Sequence, residues 1–329
     1  MMMRACFYER TGPAADVLRL GEVEKPEAGD GEVLVRVMVS GLNPTDVKRR
    51  GGVRGEMPFS RIIPHFDGAG TVVAVGAGVP AFRIGERVWI WEGQLRRPCG
   101  TAAEFVAVPA SRALKLPDDI SFETGASIGV PAMTAARALR LGGPLEGETV
   151  FVTGGAGMVG NAAIRLAKHA GARVITTVSS PEKATLAETA GADTVVNYKT
   201  EDVAEAVLSA TGGAGVRHMV DVDLAAHLPE AWRYLKPNAS IASYGTQSGT
   251  EPRFPFGKYM YKNIAIFGVA VFDIPEDEKP VLAETVEAAL KAGRLDLPVD
   301  RIVPLPETAA AHEHQESGRA LGKILIRID

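Results

Sequence analysis

Val150–Gly171 reads VFVTGGAGMVGNAAIRLAKHAG. A short apolar run ends in a glycine cluster that opens directly into a helical pattern. Val159, Ala162, Ala163, Leu166, Ala167 and Ala170 fall on one helical face, and Asn161, Arg165 and Lys168 on the other. Gly171 supplies the stop. Within the cluster, Gly155-x-Gly157-x-x-Gly160 has the spacing of a pyrophosphate site. The first glycine permits a tight turn, the second lets the backbone approach the phosphates, and the third lets helix and strand pack closely. Gly155, Ala156, Gly157, Met158 and Val159 are therefore candidate cofactor contacts. They open a helix whose free N–H groups and partial positive charge favour an anion.

The pattern around this loop alternates. Strands are expected at Thr149–Thr153, Arg173–Val178, Thr194–Asn197, Val216–Val222, Ser240–Tyr244 and Ile264–Val269. Helices are expected at Met158–Ala170, Pro181–Ala190, Glu201–Ala210 and Leu224–Leu235. Strand and helix at this spacing predict an α/β fold, a doubly wound parallel sheet with helices on both faces. Before it, Val33–Val39, Thr71–Val75, Arg87–Trp91 and Ala103–Val108 are short β-type runs divided by glycine and proline, followed by a helix over Phe122–Leu141. After it come a helix at Pro280–Ala292 and a final strand, GKILIRID. The expected layout is a β-rich domain (1–125) split around a nucleotide-binding domain (126–271), with a C-terminal return (272–329).

The end of the second strand decides between NAD and NADP. An NAD site places Asp or Glu about 20 residues past the glycines, on the ribose hydroxyls. Here the sequence runs Thr176-Thr177-Val178-Ser179-Ser180-Pro181-Glu182-Lys183. Ser180-Pro181 looks like an N-cap and first helical position, which makes Glu182 a first-turn residue complementing the helix dipole. Ser179, Ser180 and Lys183 instead suit a 2′-phosphate, so NADPH is the expected cofactor. The alternative for Lys183 is a solvated helix lysine. Gly245 and Thr246 follow a strand, at the carboxyl end where such sheets meet their ligand.

The chain has 329 residues, 46% hydrophobic and 23% charged, with a net charge of −4. That length suits two domains, and that charge gives no footprint for nucleic acid. Two cysteines, Cys6 and Cys99, form no disulfide framework or four-cysteine zinc site. No apolar run reaches a membrane span, and the start lacks a secretory core, so a cytoplasmic protein is expected.

The chain resembles the medium-chain dehydrogenase/reductase superfamily and, within it, the zeta-crystallin-like quinone oxidoreductases. The resemblance lies in Ser40-Gly41-Leu42-Asn43-Pro44-Thr45-Asp46, Phe66-Asp67-Gly68-Ala69-Gly70, Gly85-Glu86-Arg87-Val88 and Gly100-Thr101-Ala102-Ala103-Glu104-Phe105. It continues through the glycine loop, Ala190-Gly191-Ala192-Asp193 with Asn197-Tyr198, and Gly322-Lys323. It implies a GroES-like catalytic domain split around an inserted Rossmann domain, with the nicotinamide between them. It further implies that Asn43, Thr134 and Phe272 surround the nicotinamide, and that Tyr198, Gly322 and Lys323 also contact the cofactor. The alternatives are a helix N-region hydroxyl for Thr134 and a packed surface aromatic for Tyr198.

Zinc alcohol dehydrogenases of this superfamily place a cysteine ligand where this chain has Asn43, and a histidine where it has Phe66. An amide is a poor zinc ligand and a phenyl ring is none. His65 stands one residue away, on a segment expected to be extended, where neighbouring side chains face opposite ways. His312 and His314 diverge on an expected helix. No metal is therefore expected. Trp91, with Trp89, is either core or an apolar wall for an aromatic acceptor. No general acid stands out: enoyl-thioester reductases of the superfamily carry a tyrosine shortly after the Asn-Pro motif, and Lys48–Arg54 has none. The expected activity is zinc-independent hydride transfer from NADPH to a quinone. The alternatives are an enone or alkenal reductase, and a non-catalytic NADPH-binding protein. The apolar run Asn263–Phe272 reads as an uncovered sheet edge; relatives pair this edge across a twofold axis, which implies a homodimer.

Overall fold

A computed structural model describes residues 1–53, 55–79 and 84–328; Arg54, closing the stretch without a tyrosine, lies outside them. The chain divides into two compact units, Met1–Val130 with Pro298–Asp329, and Pro131–Leu297.

The second unit is built on six parallel strands: Thr149–Val152, Arg173–Val178, Thr194–Asn197, Val216–Asp221, Leu235–Ser243 and Ala265–Gly268. Their spatial order, numbered by appearance, is 3-2-1-4-5-6. This is the doubly wound order, with its crevice at the carboxyl ends where the order reverses beside the first strand. Ala265–Gly268 is the edge, as its sequence suggested. Phe151, Ile175, Val196, Met219 and Ile241 form the central core of this unit. Asn161, assigned by periodicity to the polar face, is buried with its amide on Leu186 O at 3.1 Å.

Two elements differ from expectation. Leu224–Leu235 is a single turn, Leu224–His227, then a 3₁₀ turn at Ala231–Arg233. Pro229, which lacks an N–H and crowds the preceding turn, breaks the helix. The helix Lys279–Lys291 belongs to the second unit, where it buries Leu282, Val286 and Leu290 and packs near the glycine-loop helix Met158–His169. The sequence changes character at Phe272, but this apolar stripe finds its cover beyond that point.

Among the described residues, the first unit is built on a seven-stranded, mainly antiparallel sheet around Glu32–Leu42, which pairs with Asp67–Val75, Phe105–Pro109 and Lys323–Arg327. A hairpin, Met2–Phe7 with Arg19–Glu24, and the strand Val299–Pro304 were not legible in the sequence. Antiparallel pairing of Leu42 with Ile324 brings the C-terminal strand beside the Asn-Pro motif. Among the described residues, no helix is long and apolar enough to cross a membrane.

Candidate functional site

In the second unit, Gly154 turns the chain with φ +69° and donates its N–H to Thr177 Oγ1 at 3.1 Å. A Cβ on Gly155 would fall on the Thr176 hydroxyl, and one on Gly160 would fall on the Gly154 carbonyl oxygen. These two glycines and Ala156 face inward. Gly157 is exposed, and Met158 and Val159 are half-exposed. The helix starting at Met158 is 12 residues long, and its first-turn amides have no carbonyl in the helix to bond. Gly157, Met158 and Val159 form the accessible part of this turn, and Gly155 and Gly160 let it close.

One strand over, Ser180 caps the helix Pro181–Thr189, its Oγ accepting from Lys183 N. Lys183 is not simply solvated: its Nζ donates to Ser179 Oγ at 3.1 Å. The structure therefore gathers two hydroxyls and an ammonium at the strand end. Glu182 is exposed, its carboxyl held below the usual range chiefly by the Ser180 hydroxyl. Tyr198 is 53% exposed, and its N–H donates to Val178 O. A Cβ on Gly245 would strike Val222 O, and Thr246 Oγ1 bonds Gly249 O. Thr134 is buried in the middle of the helix Phe122–Arg140, not in its first turn. Phe272 is half-buried in a 3₁₀ turn, Val271–Asp273, beyond the edge strand.

Sequence reasoning missed Asp221. Its buried carboxylate accepts from Thr153 Oγ1 (3.1 Å) and Ser243 Oγ (2.8 Å), and lies 2.6 Å from His227 Nδ1.

In the first unit, Asn43 is the N-cap of the helix Pro44–Arg50, and its N–H donates to Asp46 Oδ2 at 2.7 Å. Its side chain turns inward. Nδ2 donates to Asp67 Oδ2 (2.9 Å), and Oδ1 accepts from Lys323 Nζ (2.7 Å). Lys323, 1% exposed, also donates to Asp67 Oδ2 at 2.8 Å, while Asp67 Oδ1 accepts from Val130 N. Asn43 and Lys323, both expected on the cofactor, have their side chains bonded to each other and to Asp67. Gly322, expected there too, has φ +153° and its Cβ position lies against Pro298 O. Trp89 and Trp91 are both buried, the core alternative rather than an open wall.

His65 is not on an extended segment, since its φ is +81°. It is buried, with Nε2 3.0 Å from His312 Nε2 and Nδ1 2.8 Å from Ser40 Oγ. The tautomers follow in sequence. Thr101 donates to Asp67 O, so Ser40 donates to Thr101, and His65 Nδ1–H donates to Ser40. His65 Nε2 therefore accepts from His312 Nε2–H. His314 points elsewhere, to Asp300 Oδ2 at 3.0 Å.

Burial sets the titration of these groups. It pushes His65 down to about 3, with the Lys323 ammonium adding to the effect. Burial, His65 and Arg50 hold His312 well below its ordinary value. Burial takes His218 down to about 4, against the bond to Ala138 O. Asp46 is pushed up to about 8, first by burial and then against its bond from Asn43 N. Below pH about 6.5 the unfolded chain protonates these histidines while the folded one does not, so stability falls as pH falls. Asp46 acts oppositely: from pH about 4 up to about 8 the folded chain holds the extra proton, so stability falls as pH rises. Three histidines outweigh one carboxyl below 6.5, and from there up to about pH 8 Asp46 acts in the opposite direction. We expect maximal stability near pH 6.5, falling towards pH 5 by about 1.4 kcal/mol per net proton per pH unit. Urea titrations across this range check it. A His218→Asn variant with an unchanged acid slope would refute the assignment.

Comparison with known proteins agrees with this architecture. Residues 29–118 match the alcohol dehydrogenase GroES-like domain, and residues 158–287 match the zinc-binding dehydrogenase domain. A 2-haloacrylate reductase from a Burkholderia species is 30% identical, with 99% of each chain covered. Rattus norvegicus quinone oxidoreductase is also 30% identical, over 99% of this chain and 98% of its own. A mycobacterial protein solved in complex with NADPH superposes with a TM-score of 0.84 at 30% identity, covering 99% of this chain and 100% of that one. With the doubly wound sheet, the glycine loop and the split β-rich unit in place, these likenesses extend over the whole length: the chain belongs to the quinone oxidoreductase-like branch of the medium-chain dehydrogenase/reductase superfamily and is an oxidoreductase of that family.

Proposed function

We propose that the chain is a zinc-independent, NADPH-dependent reductase whose acceptor is a quinone. The observation that carries this is the Lys323 ammonium, bonded to Asp67 and to Asn43, the position at which the resemblance puts a cysteine ligand in zinc alcohol dehydrogenases. The cation of this site is part of the chain. Without a Lewis acid to polarise an alcohol, the reaction suits an acceptor that is already electrophilic. NADPH fits the second unit: Gly157, Met158 and Val159 would hold the pyrophosphate, and Ser179, Ser180 and Lys183 the 2′-phosphate. When bound, NADPH supplies the hydride. The chain's own contribution is to orient the dinucleotide by the Met158 and Val159 amides and the Lys183 ammonium, the Gly157 N–H being held by Gly154 O. A second reading, reduction of an activated alkene, is favoured by the similarity to 2-haloacrylate reductase.

The test is oxidation of NADPH and, in parallel, NADH against quinones, enones and 2-haloacrylate, with a chelator present, and of an alcohol with NADP⁺. We expect turnover with quinones, unaffected by chelation and poor with NADH. Lys183→Ala is expected to raise KM for NADPH about 10- to 50-fold, the worth of a charge-assisted bond to phosphate, and to leave NADH nearly unchanged. Turnover confined to the alcohol, or lost to the chelator, would overturn the zinc-independent assignment. In the same preparation the active species is expected to sediment as a homodimer, paired through the edge near 263–272.

A further inference from the structure

Beside Tyr198 lies a cavity of about 300 Å³, within the second unit and at the carboxyl ends of its strands. This is the scale of a small-ligand site. Its inner wall is mainly apolar, with Phe151, Val203 and Ala226; Thr177, Tyr198 and His227 are among its polar lining. Thr177 also takes the Gly154 N–H, so the cavity adjoins the phosphate loop. Its charged lining is two carboxylates and one guanidinium, and Arg233 is taken up by both Glu230 (3.5 Å) and Asp202 (3.9 Å), which leaves no spare cation for a further anion. An apolar wall with neutral polar groups suits a flat heteroaromatic ring rather than another anion.

His227 differs from the rest of this lining in being held by a buried carboxylate. Asp221 has its own donors in Thr153 and Ser243, and takes His227 Nδ1–H at 2.6 Å. That bond fixes the ring and places its proton on Nδ1, the tautomer in which Nε2 is the acceptor. We propose that His227, oriented by Asp221, is the base-recognising residue of the dinucleotide site, accepting a hydrogen bond from the adenine amino group. Tyr198 is placed to cover the ring. The assignment rests on NADPH being the cofactor. Its chemistry is that of a purine bearing an exocyclic donor, and a purine with a carbonyl at that position presents a second acceptor to Nε2 instead.

The experiment is calorimetric binding of NADPH and of its hypoxanthine analogue, nicotinamide hypoxanthine dinucleotide phosphate, to the wild type, His227→Ala and His227→Gln. The wild type is expected to prefer NADPH about tenfold. His227→Ala should lose that preference by weakening NADPH while leaving the analogue unchanged. His227→Gln, which keeps an acceptor oxygen, should restore part of it. A general packing defect would instead weaken both ligands equally in His227→Ala, and that result overturns the proposal. So does a wild type that binds both ligands equally or prefers the analogue, with NADPH as cofactor left standing. A wild type that binds neither ligand defeats the cofactor assignment, and the role of His227 falls with it.

Discussion

Asp67→Asn is expected to destabilise the first unit by about 3–5 kcal/mol, the cost of leaving one partner of a buried ion pair uncompensated. The substitution is nearly isosteric, so packing is not the cause. Asp67 Oδ2 receives both Lys323 Nζ and Asn43 Nδ2, and Oδ1 receives Val130 N. An amide presents one oxygen where the carboxylate presents two, and its NH₂ group faces a donor. Lys323, 1% exposed, then has no counter-charge in contact and no water to solvate it. Urea titration reads the loss. Replacing both partners, as Asp67→Leu with Lys323→Met, should recover much of it, because two apolar side chains remove the charge and the desolvation cost together. A single substitution costing less than about 1 kcal/mol, the worth of an exposed pair, would show that the pair is not buried as described.

Gly160→Ala is expected to weaken NADPH binding about 100-fold, equivalent to about 2.7 kcal/mol. The new methyl would fall on the carbonyl oxygen of Gly154, which is backbone and cannot rotate away. Gly154 is in the left-handed region and its N–H is tied to Thr177, so the turn has little freedom to retreat. The helix must move off the strand instead, and Met158 and Val159 move with it, taking their free amides away from the phosphate position. Some loss of folding stability, about 1–3 kcal/mol, should accompany this as overpacking. Calorimetry with NADPH separates the two effects. Unchanged affinity in a folded Gly160→Ala variant would mean that this loop does not hold the pyrophosphate.

The two sites differed in how far they could be read from sequence. The glycine loop is a local device: its turn, helix start and amide donors all lie between Gly154 and Gly160, and the glycines mark where a side chain cannot fit. The Ser179–Lys183 cluster is equally local, because an N-cap and its first turn fall within five residues. The β-hairpin at Met2–Phe7 and Arg19–Glu24 was not legible, since polar residues interrupt both segments and pairing across the turn supplies the order. Lys323 could be placed on a strand, but its partner Asn43 lies 280 positions away. Likewise, His65 meets His312 across 247 positions, at a residue whose φ contradicts the extended segment its neighbours suggested.

By itself the sequence determined the alternation of strand and helix, the phosphate loop, the absence of a carboxylate before Glu182 and the edge character of the strand after Asn263. Each follows from period, turn chemistry or residue type within a short window. Only the tertiary structure decided that Asn43 and Lys323 turn on Asp67, that His65 accepts from His312, and that Asp221 aligns His227. These bonds depend on sheet register and on which buried polar group has no other partner, and both are settled when distant segments pack and water is excluded.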